Sequence, residues 1–228
     1  MTLNEELTEF MLCRGATLVG FADLKSIRAA EMPTGVSIAV AVPADVIRSI
    51  RSGPTMEYYN AYHSINAKLD KIVTAGAEFL CQKGYQAFAQ TEDAVVESED
   101  YRTKLPHKTV ATRAGLGWIG KCALLVTERY GSAVRLSSLI TTAPLECGSP
   151  VTESKCGDCM CCTQSCPGKA VSGSVWSPEK DRDEFFHSVD CRAAARKLAM
   201  NKIQKEITLC GKCIYVCPYT QRYLKRPV

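Results

Sequence analysis

The stretch CGDCMCCTQSCP, residues 156–167, carries five cysteines in twelve positions of a 228-residue chain that holds thirteen. Four of them follow the order Cys156-x2-Cys159-x2-Cys162-x3-Cys166-Pro167, the spacing of cubane iron–sulfur ligation. Intervals of two residues let three sulfurs from one tight loop reach three irons of a single cubane. The fourth cysteine, followed by proline, turns away and serves a neighbouring cluster. Cys161 is surplus to this pattern. Near the C-terminus, Cys210-x2-Cys213-x3-Cys217-Pro218 repeats the block with one cysteine fewer, and Cys191, in VDCRAAARKL, is the upstream residue that fills the vacancy. A crossed arrangement gives one [4Fe–4S] cluster Cys156, Cys159, Cys162 and Cys217, and the other Cys166, Cys191, Cys210 and Cys213. Zinc, with His187 close to Cys191, and disulfides are the competing readings. Two triplets that each end in Cys-Pro argue against both. Cys13, Cys81, Cys122, Cys147 and Cys161 read as buried or incidental thiols.

The rest of the composition agrees with a metalloprotein in a reducing compartment. The opening MTLNEELTEF is acidic and amphipathic, unlike a secretory leader. No apolar run reaches the roughly 18 residues that a membrane span needs. A cytoplasmic location with no membrane partner is expected, and there structural disulfides are rare. The formal net charge of +4 counts every cysteine as neutral. Four thiolates around an oxidised cubane core of about +2 leave about −2 per site, so two such sites bring the protein close to neutrality. The basic balance is then charge compensation and a weak argument for nucleic acid.

Outward from the cysteines, the pattern becomes that of a mixed domain. Residues 3–14 space their apolar side chains as a helix does, with Thr2 as its cap. LVGFA (18–22) and GVSIAVAVP (35–43) read as strands, and a Gly/Pro/Ser loop follows at 49–55. From Tyr58 to Lys83 apolar residues recur every three or four positions, ending at Gly84. YQAFA (85–89), ALLVT (123–127) and AVRLSSLI (133–140) are strand candidates, HKTVATRA (107–114) a helix, and a further helix lies near 184–207. Alternating elements up to about 145 predict an α+β or α/β sandwich of two or three layers. Beyond Pro144 apolar periodicity fades and cysteines crowd in. We therefore divide the chain into a cofactor or substrate domain, 1–147, and a cluster domain, 148–228, whose small core would draw much of its folding free energy from metal.

AGLGWIGKCALLV (114–126) contains Gly115-x-Gly117-x-x-Gly120, formally a dinucleotide pattern, and Gly115-x4-Gly120-Lys121, formally a phosphate loop. The preceding segment is helical in pattern where a strand is needed. Cys122 stands where a phosphate loop has Ser or Thr. The glycines instead allow close backbone approach to a large planar or phosphate-bearing ligand, or form a structural turn.

The segment HKTVATRAGLGWIGKCALLVTERYGSAVRLSSLITTAPL, joined to the double cysteine block, resembles the epoxyqueuosine reductases, which are cobalamin-dependent tRNA-modifying iron–sulfur enzymes akin to corrinoid reductive dehalogenases. GATLVGFADL, GVSIAVAVP and YYNAYHSINAKLD extend the likeness upstream. It implies a nitroreductase-like α+β domain for the corrinoid and a ferredoxin-like domain with two [4Fe–4S] clusters. It also implies a catalytic aspartate shortly before AGLGW. Counting back places that position at Tyr101, where SEDYRTKLPHK departs from the family motif and Asp100 is the neighbouring acid. Candidate cofactor contacts are Tyr62 and His63 on the long helix, His107 and Lys108, and Gly115, Gly117, Trp118, Gly120 and Lys121. The family's C-terminal helical-repeat extension, which helps hold tRNA, has no counterpart in the eleven residues after Cys217, so tRNA is the less expected substrate.

The expectation is an iron–sulfur oxidoreductase. A small electron-donor protein of ferredoxin or flavodoxin type would feed two clusters, which reduce a bound cofactor, cobalamin among the candidates, or a small-molecule substrate. The rival is an electron-transfer or activating partner of a separate corrinoid protein, without turnover of its own.

Overall fold

The computed structural model describes residues 1–226. Its elements run α1 (Leu3–Cys13), β1 (Leu18–Asp23), β2 (Thr34–Ala41), α2 (Ala44–Ser49), α3 (Met56–Gln82), β3 (Ala87–Gln90), α4 (His107–Arg113), β4 (Trp118–Ile119), β5 (Leu125–Val126), β6 (Val134–Thr141), α5 (Cys161–Ser165), α6 (Ser188–Ile203), α7 (Lys212–Val216) and α8 (Pro218–Leu224). The chain is a mixed α/β protein that separates into two compact units, interleaved along the sequence. Composition changes near residue 147. The last passage between units comes at Val151 and Thr152, and the second unit also takes in 41–63 and 118–134.

The first unit comprises 1–40, 64–117 and 135–151. It is built on an open sheet in the order β1-β2-β6-β3. β1 runs antiparallel to β2, with Leu18 opposite Ala39 and Asp23 opposite Thr34, and β3 antiparallel to β6, with Ala87 opposite Thr141. β2 lies inside the sheet and is buried on both faces up to Val40, so its sequence is a continuous apolar run without alternation. α1 starts on a reciprocal capping box, Thr2 with Glu5, and buries Leu7 and Met11. α1 and α4 pack on β1. Ala22, Leu24, Val110, Ala114 and Ile140 are members of one apolar cluster there.

The second unit comprises 41–63, 118–134 and the chain from Thr152 onward. Apart from the two-stranded β4–β5 pair it is made of short helices joined by turns. α5 packs on α7, and α8 on α2. The expected strand at 123–127 shrinks to Leu125–Val126, because Ala123 takes a left-handed conformation (φ 59°) and belongs to the turn. The expected helix near 184–207 is a single turn at Arg182–Glu184, capped by Asp181, followed by α6. Among the described residues no helix is long and apolar enough to cross a membrane.

Candidate metal centre

The two cysteine blocks share one local build. In each, a single helical turn (α5 or α7) runs up to a cysteine with extended backbone, Cys166 (φ −71°, ψ 116°) or Cys217 (φ −61°, ψ 126°). Proline follows each cysteine, and its missing N–H and fixed φ stop the turn there. Pro218 sits at the first position of α8, where no donor is lost. The loop ahead of α5 closes with Cys159 N–H donating to Cys156 O at 3.1 Å.

Donors point at these sulfurs. Ala170 N–H lies 3.3 Å from Cys166 Sγ. Burial raises the Cys217 and Cys210 thiols, opposed at Cys217 by the neighbouring backbone N–H groups of Thr220 and Tyr219 and the Thr220 side chain, and at Cys210 by the N–H of Lys212. N–H···S and O–H···S bonds of this kind favour a charged sulfur and tune a cluster's potential. All thirteen cysteines are free thiols.

Electrostatic neighbourhoods sort seven of the eight cysteines, all but Cys213, by position in space. Burial first, then Cys166 and Cys210, pushes the Cys191 thiol up to about 11. Cys210 is raised chiefly by burial, with Cys166 as its cysteine neighbour, and Cys217 chiefly by burial, with Cys156 as its neighbour. Cys161, raised first by its hydrogen bond with Cys159, also feels Cys162 and Cys217. The fold thus brings Cys166, Cys191 and Cys210 together, and sets Cys217 beside the 156–162 loop. Among the described residues no three His, Cys, Asp or Glu side chains close on a single ion. A cubane takes one sulfur per iron, so its ligands surround a volume and not a point.

The glycine-rich segment lies partly in each unit. Gly115 (φ 77°) ends α4 as the left-handed residue of a Schellman motif: Leu116 N–H donates to Ala111 O at 3.0 Å and Gly115 N–H to Thr112 O at 3.1 Å. A helix precedes this glycine, and Gly115 terminates it. In the second unit, Gly120 N–H bonds Leu124 O at 2.9 Å and Ala123 N–H bonds Gly120 O at 2.8 Å, closing the β4–β5 turn. Three side chains of this hairpin are buried. Trp118 is packed edge-on against Tyr219, with ring centroids 4.8 Å apart, and its Nε1 has no hydrogen-bond partner. Lys121 is only 3% exposed, with Nζ 3.6 Å from Met160 Sδ. Cys122 is buried, with Cys162 and Cys213 as its cysteine neighbours. Sequence reasoning set Cys122 aside as incidental, and its only signal was a thiol where a phosphate loop has a hydroxyl.

The first unit contains a buried polar cluster of its own. His107 opens α4, and its Nδ1 lies 2.8 Å from the Ser138 hydroxyl, which also receives Gln90 Nε2 at 2.7 Å. Ser138 is fully buried. Burial, then the Arg135 charge, lowers the His107 pKa to about 4, and a helix N-terminus disfavours a cation further. The imidazole is therefore neutral near pH 7. Nδ1 accepts from Ser138 O–H, leaving the proton on Nε2. Unfolded, this histidine titrates near 6.5, so its contribution to stability is complete above that pH and is lost as pH falls toward 4. The stake is about 3 kcal/mol. Chemical denaturation of the wild type should show this slope between pH 6.5 and 4, and His107→Asn, which keeps an acceptor and removes the titration, should flatten it.

The remaining predicted residues fall elsewhere. Tyr62 and His63 lie in the second unit on the first turns of α3, where Tyr59 and Tyr62 both stand edge-on to the His63 ring at 4.5 and 5.2 Å. His63 is exposed, and Lys108, beside His107, is half-buried. Asp100 is on an exposed loop in the first unit, bonded by Ser98 Oγ and ion-paired with Arg102 at 3.0 Å. Gly117 is buried.

Comparison with known proteins places this geometry. Residues 155–220 match the 4Fe-4S double cluster binding domain family. The epoxyqueuosine reductase of Synechocystis sp. is 31% identical over 120 residues, which are 52% of this chain and 41% of that protein. The alignment thus spans about two-fifths of the relative's length. Among solved structures, an epoxyqueuosine reductase with an epoxyqueuosine-modified tRNA-Tyr stem loop superposes with a TM-score of 0.65 at 23% identity, over 96% of this chain and 65% of that one. A reductive dehalogenase whose structure suggests a mechanism for B12-dependent dehalogenation gives 0.67 at 17% identity, over 95% and 32%. At such identities the structures establish a shared fold.

Proposed function

We propose that this chain, a relative of the epoxyqueuosine reductases that carries a 4Fe-4S double cluster binding domain, is an iron–sulfur oxidoreductase moving single electrons through two cubanes. One is held by Cys156, Cys159, Cys162 and Cys217, the other by Cys166, Cys191, Cys210 and Cys213. The observation that carries this reading is spatial. Cys191 and Cys210 are the neighbours of Cys166, and Cys156 is the neighbour of Cys217, although each pair comes from different blocks. Ala170, Lys212, Tyr219 and Thr220 supply donors to the sulfurs, and the half-buried setting keeps bulk water from the clusters while leaving an edge for a ferredoxin- or flavodoxin-type donor.

Residues 1–147 form a nitroreductase-like domain in this reading, and 148–228 a ferredoxin-like one. The first domain receives the electrons in a bound cofactor or substrate. Its buried polar groups suit a ligand rich in amide and hydroxyl groups: neutral His107 keeps an Nε2–H donor, and Ser37 Oγ is buried without a partner. Cobalamin meets that description and would supply a metal that cycles to a strongly reduced state. His107 would orient the ligand through Nε2–H. Asp100 is the candidate proton donor. Lying on an exposed loop, it would have to exchange its Arg102 partner for substrate.

Oxygen-free purification with iron, sulfide and cobalamin analysis tests the reading. About eight irons and eight sulfides per chain are expected, with stoichiometric binding of added cobalamin. Stoichiometric zinc in place of iron overturns the whole proposal, and eight irons without cobalamin binding overturns the corrinoid part.

A further inference from the structure

We propose that the exposed face of α6, continued by the first turns of α3, is the docking surface for a small acidic electron-transfer protein. The inference rests on the function proposed above, from which it takes the need for an electron donor, and it assigns that donor a place.

All the residues concerned lie in the second unit. α6 buries only a narrow line of Ala195, Ala199 and Ile203. Leu198 packs on the loop before α3, where a Cβ on Gly53 would stand 3.1 Å from Leu198 Cδ2. The outward side carries Val189, Ala193, Lys197 and Met200, all exposed and spaced by four, four and three residues, so they form one row along the helix. Val189 is 66% exposed and Met200 46%. A helix that meets only water carries polar side chains on that side. Here two sizeable apolar groups stand there instead, with Arg196 and Lys197 one turn before Met200.

Charge sets the sign of the partner. Within α6, Arg192, Arg196, Lys197 and Lys202 are set against a single acid, Asp190. The helix macrodipole favours a cation in the last turn, which accounts for Lys202. It gives no reason for the three cations upstream. Gln204, left-handed at φ 54°, ends the helix, and the segment beyond it is tied back by the Arg196–Glu206 ion pair at 2.9 Å. Lys205, in that segment, has its Nζ 5.7 Å from the Tyr59 ring centroid. The surface thus continues into Tyr59, Tyr62 and the exposed His63.

Cations around exposed apolar side chains fit a protein that presents carboxylates around an apolar spot. Nucleic acid fits less well, because phosphates gain nothing from Val189 and Met200 and are repelled by Asp190 and Glu206. Redox partners meet over small interfaces, below about 1,200 Å², and opposite charge speeds their encounter. α6 also carries Cys191. A protein docked on this helix is therefore separated from that proposed ligand by no more than one helix width, about 10–12 Å.

The test uses the full chain, isolated without oxygen and assayed for iron. It is titrated calorimetrically with an oxidised acidic flavodoxin and, in parallel, an oxidised acidic ferredoxin, so no electron need move. Saturable binding of at least one is expected, weakening about tenfold as salt rises from about 0.02 M to about 0.2 M. Lys197→Glu combined with Lys205→Glu should weaken it about tenfold at the lower salt. Lys68→Glu with Lys71→Glu makes the same charge change at exposed positions of α3 in the first unit, and should alter binding less than about twofold. Met200→Gln should cost about threefold and leave the salt dependence unchanged. If the Lys197/Lys205 reversal loses iron, glutamine at both positions gives the same reading with a smaller loss. Equal losses in the two reversed pairs, unchanged binding in the α6 pair, or no binding of either probe overturns the proposal. So does an RNA stem loop, or a second copy of the chain, whose binding the α6 pair abolishes while that of the acidic probes persists. A wild-type chain without iron sinks the proposed function and this inference with it, whereas an iron-replete chain indifferent to the α6 reversals sinks the inference alone.

Discussion

Replacing Cys156 and Cys217 together by serine should leave about four irons per chain, whereas replacing Cys156 and Cys166 together should leave none. Chain order suggests the opposite. Cys156 and Cys166 lie in one block of twelve residues, while Cys217 lies some sixty residues away. The crossed arrangement makes Cys156 and Cys217 ligands of one cubane, so a second serine there destroys nothing further. Cys166 turns away from its own block, with Ala170 N–H at 3.3 Å from its sulfur, toward Cys191 and Cys210. Cys191→Ser paired with Cys210→Ser should likewise leave four irons, which tests the upstream ligand. Iron and sulfide assays with EPR of the reduced protein provide the measurement. Four irons remaining in the Cys156/Cys166 pair and none in the Cys156/Cys217 pair would refute the assignment.

The second large effect is expected at a glycine with no motif around it. A Cβ on Gly131 would stand 2.2 Å from the Thr220 backbone nitrogen and 2.6 Å from its Cα, and the residue has φ 57°. A backbone neighbour cannot rotate away as a side-chain tip can. The left-handed conformation costs a non-glycine residue about 1–2 kcal/mol and forced overpacking about 1–3 more, so Gly131→Ala should destabilise the protein by about 2–5 kcal/mol. Gly84→Ala is the control: it has a similar conformation, φ 89°, with nothing within 4 Å of the added carbon, and should cost only the first of these amounts. Denaturation of the metal-loaded chains compares the two, and equal losses would refute the steric argument. Gly131→Ala should also disturb a cluster. Ser132 N–H donates to Thr220 Oγ1 at 3.1 Å, and Thr220 is one of the groups that favour a charged sulfur at Cys217. Displacing Thr220 therefore removes that support from a ligand, and the EPR signal of the first cluster should change while that of the second keeps its line shape.

Much of the framework is legible in local sequence because it is decided by local physics. The Thr2–Glu5 capping box, the helical period that becomes α3, and the doubly buried apolar run of β2 each follow from interactions within a few residues or from one repeating period. The helix before the glycines likewise separates Gly115 from a dinucleotide fingerprint, since a residue that ends a helix cannot also follow a strand. The short elements were less legible. α2 is six residues long and begins directly after Pro43, and α8 is seven, so neither completes enough turns to show a period. The strand at 123–127 looked longer than Leu125–Val126, because an apolar composition does not reveal that Ala123 turns left-handed.

What the sequence by itself determined is the chemistry of the cysteine blocks. Spacings of two and three residues ending in Cys-Pro bring sulfurs together over distances that the backbone alone controls, so donor type, donor number and the direction of each last cysteine can be read from residue order. What only the tertiary structure decided is which distant groups meet the cysteine loops: Cys122, with Cys162 and Cys213 as neighbours, Lys121 at Met160, and Thr220 packed against Gly131. These contacts join segments far apart along the chain, and they exist only once burial has brought the segments into register, a condition that no spacing or local propensity encodes.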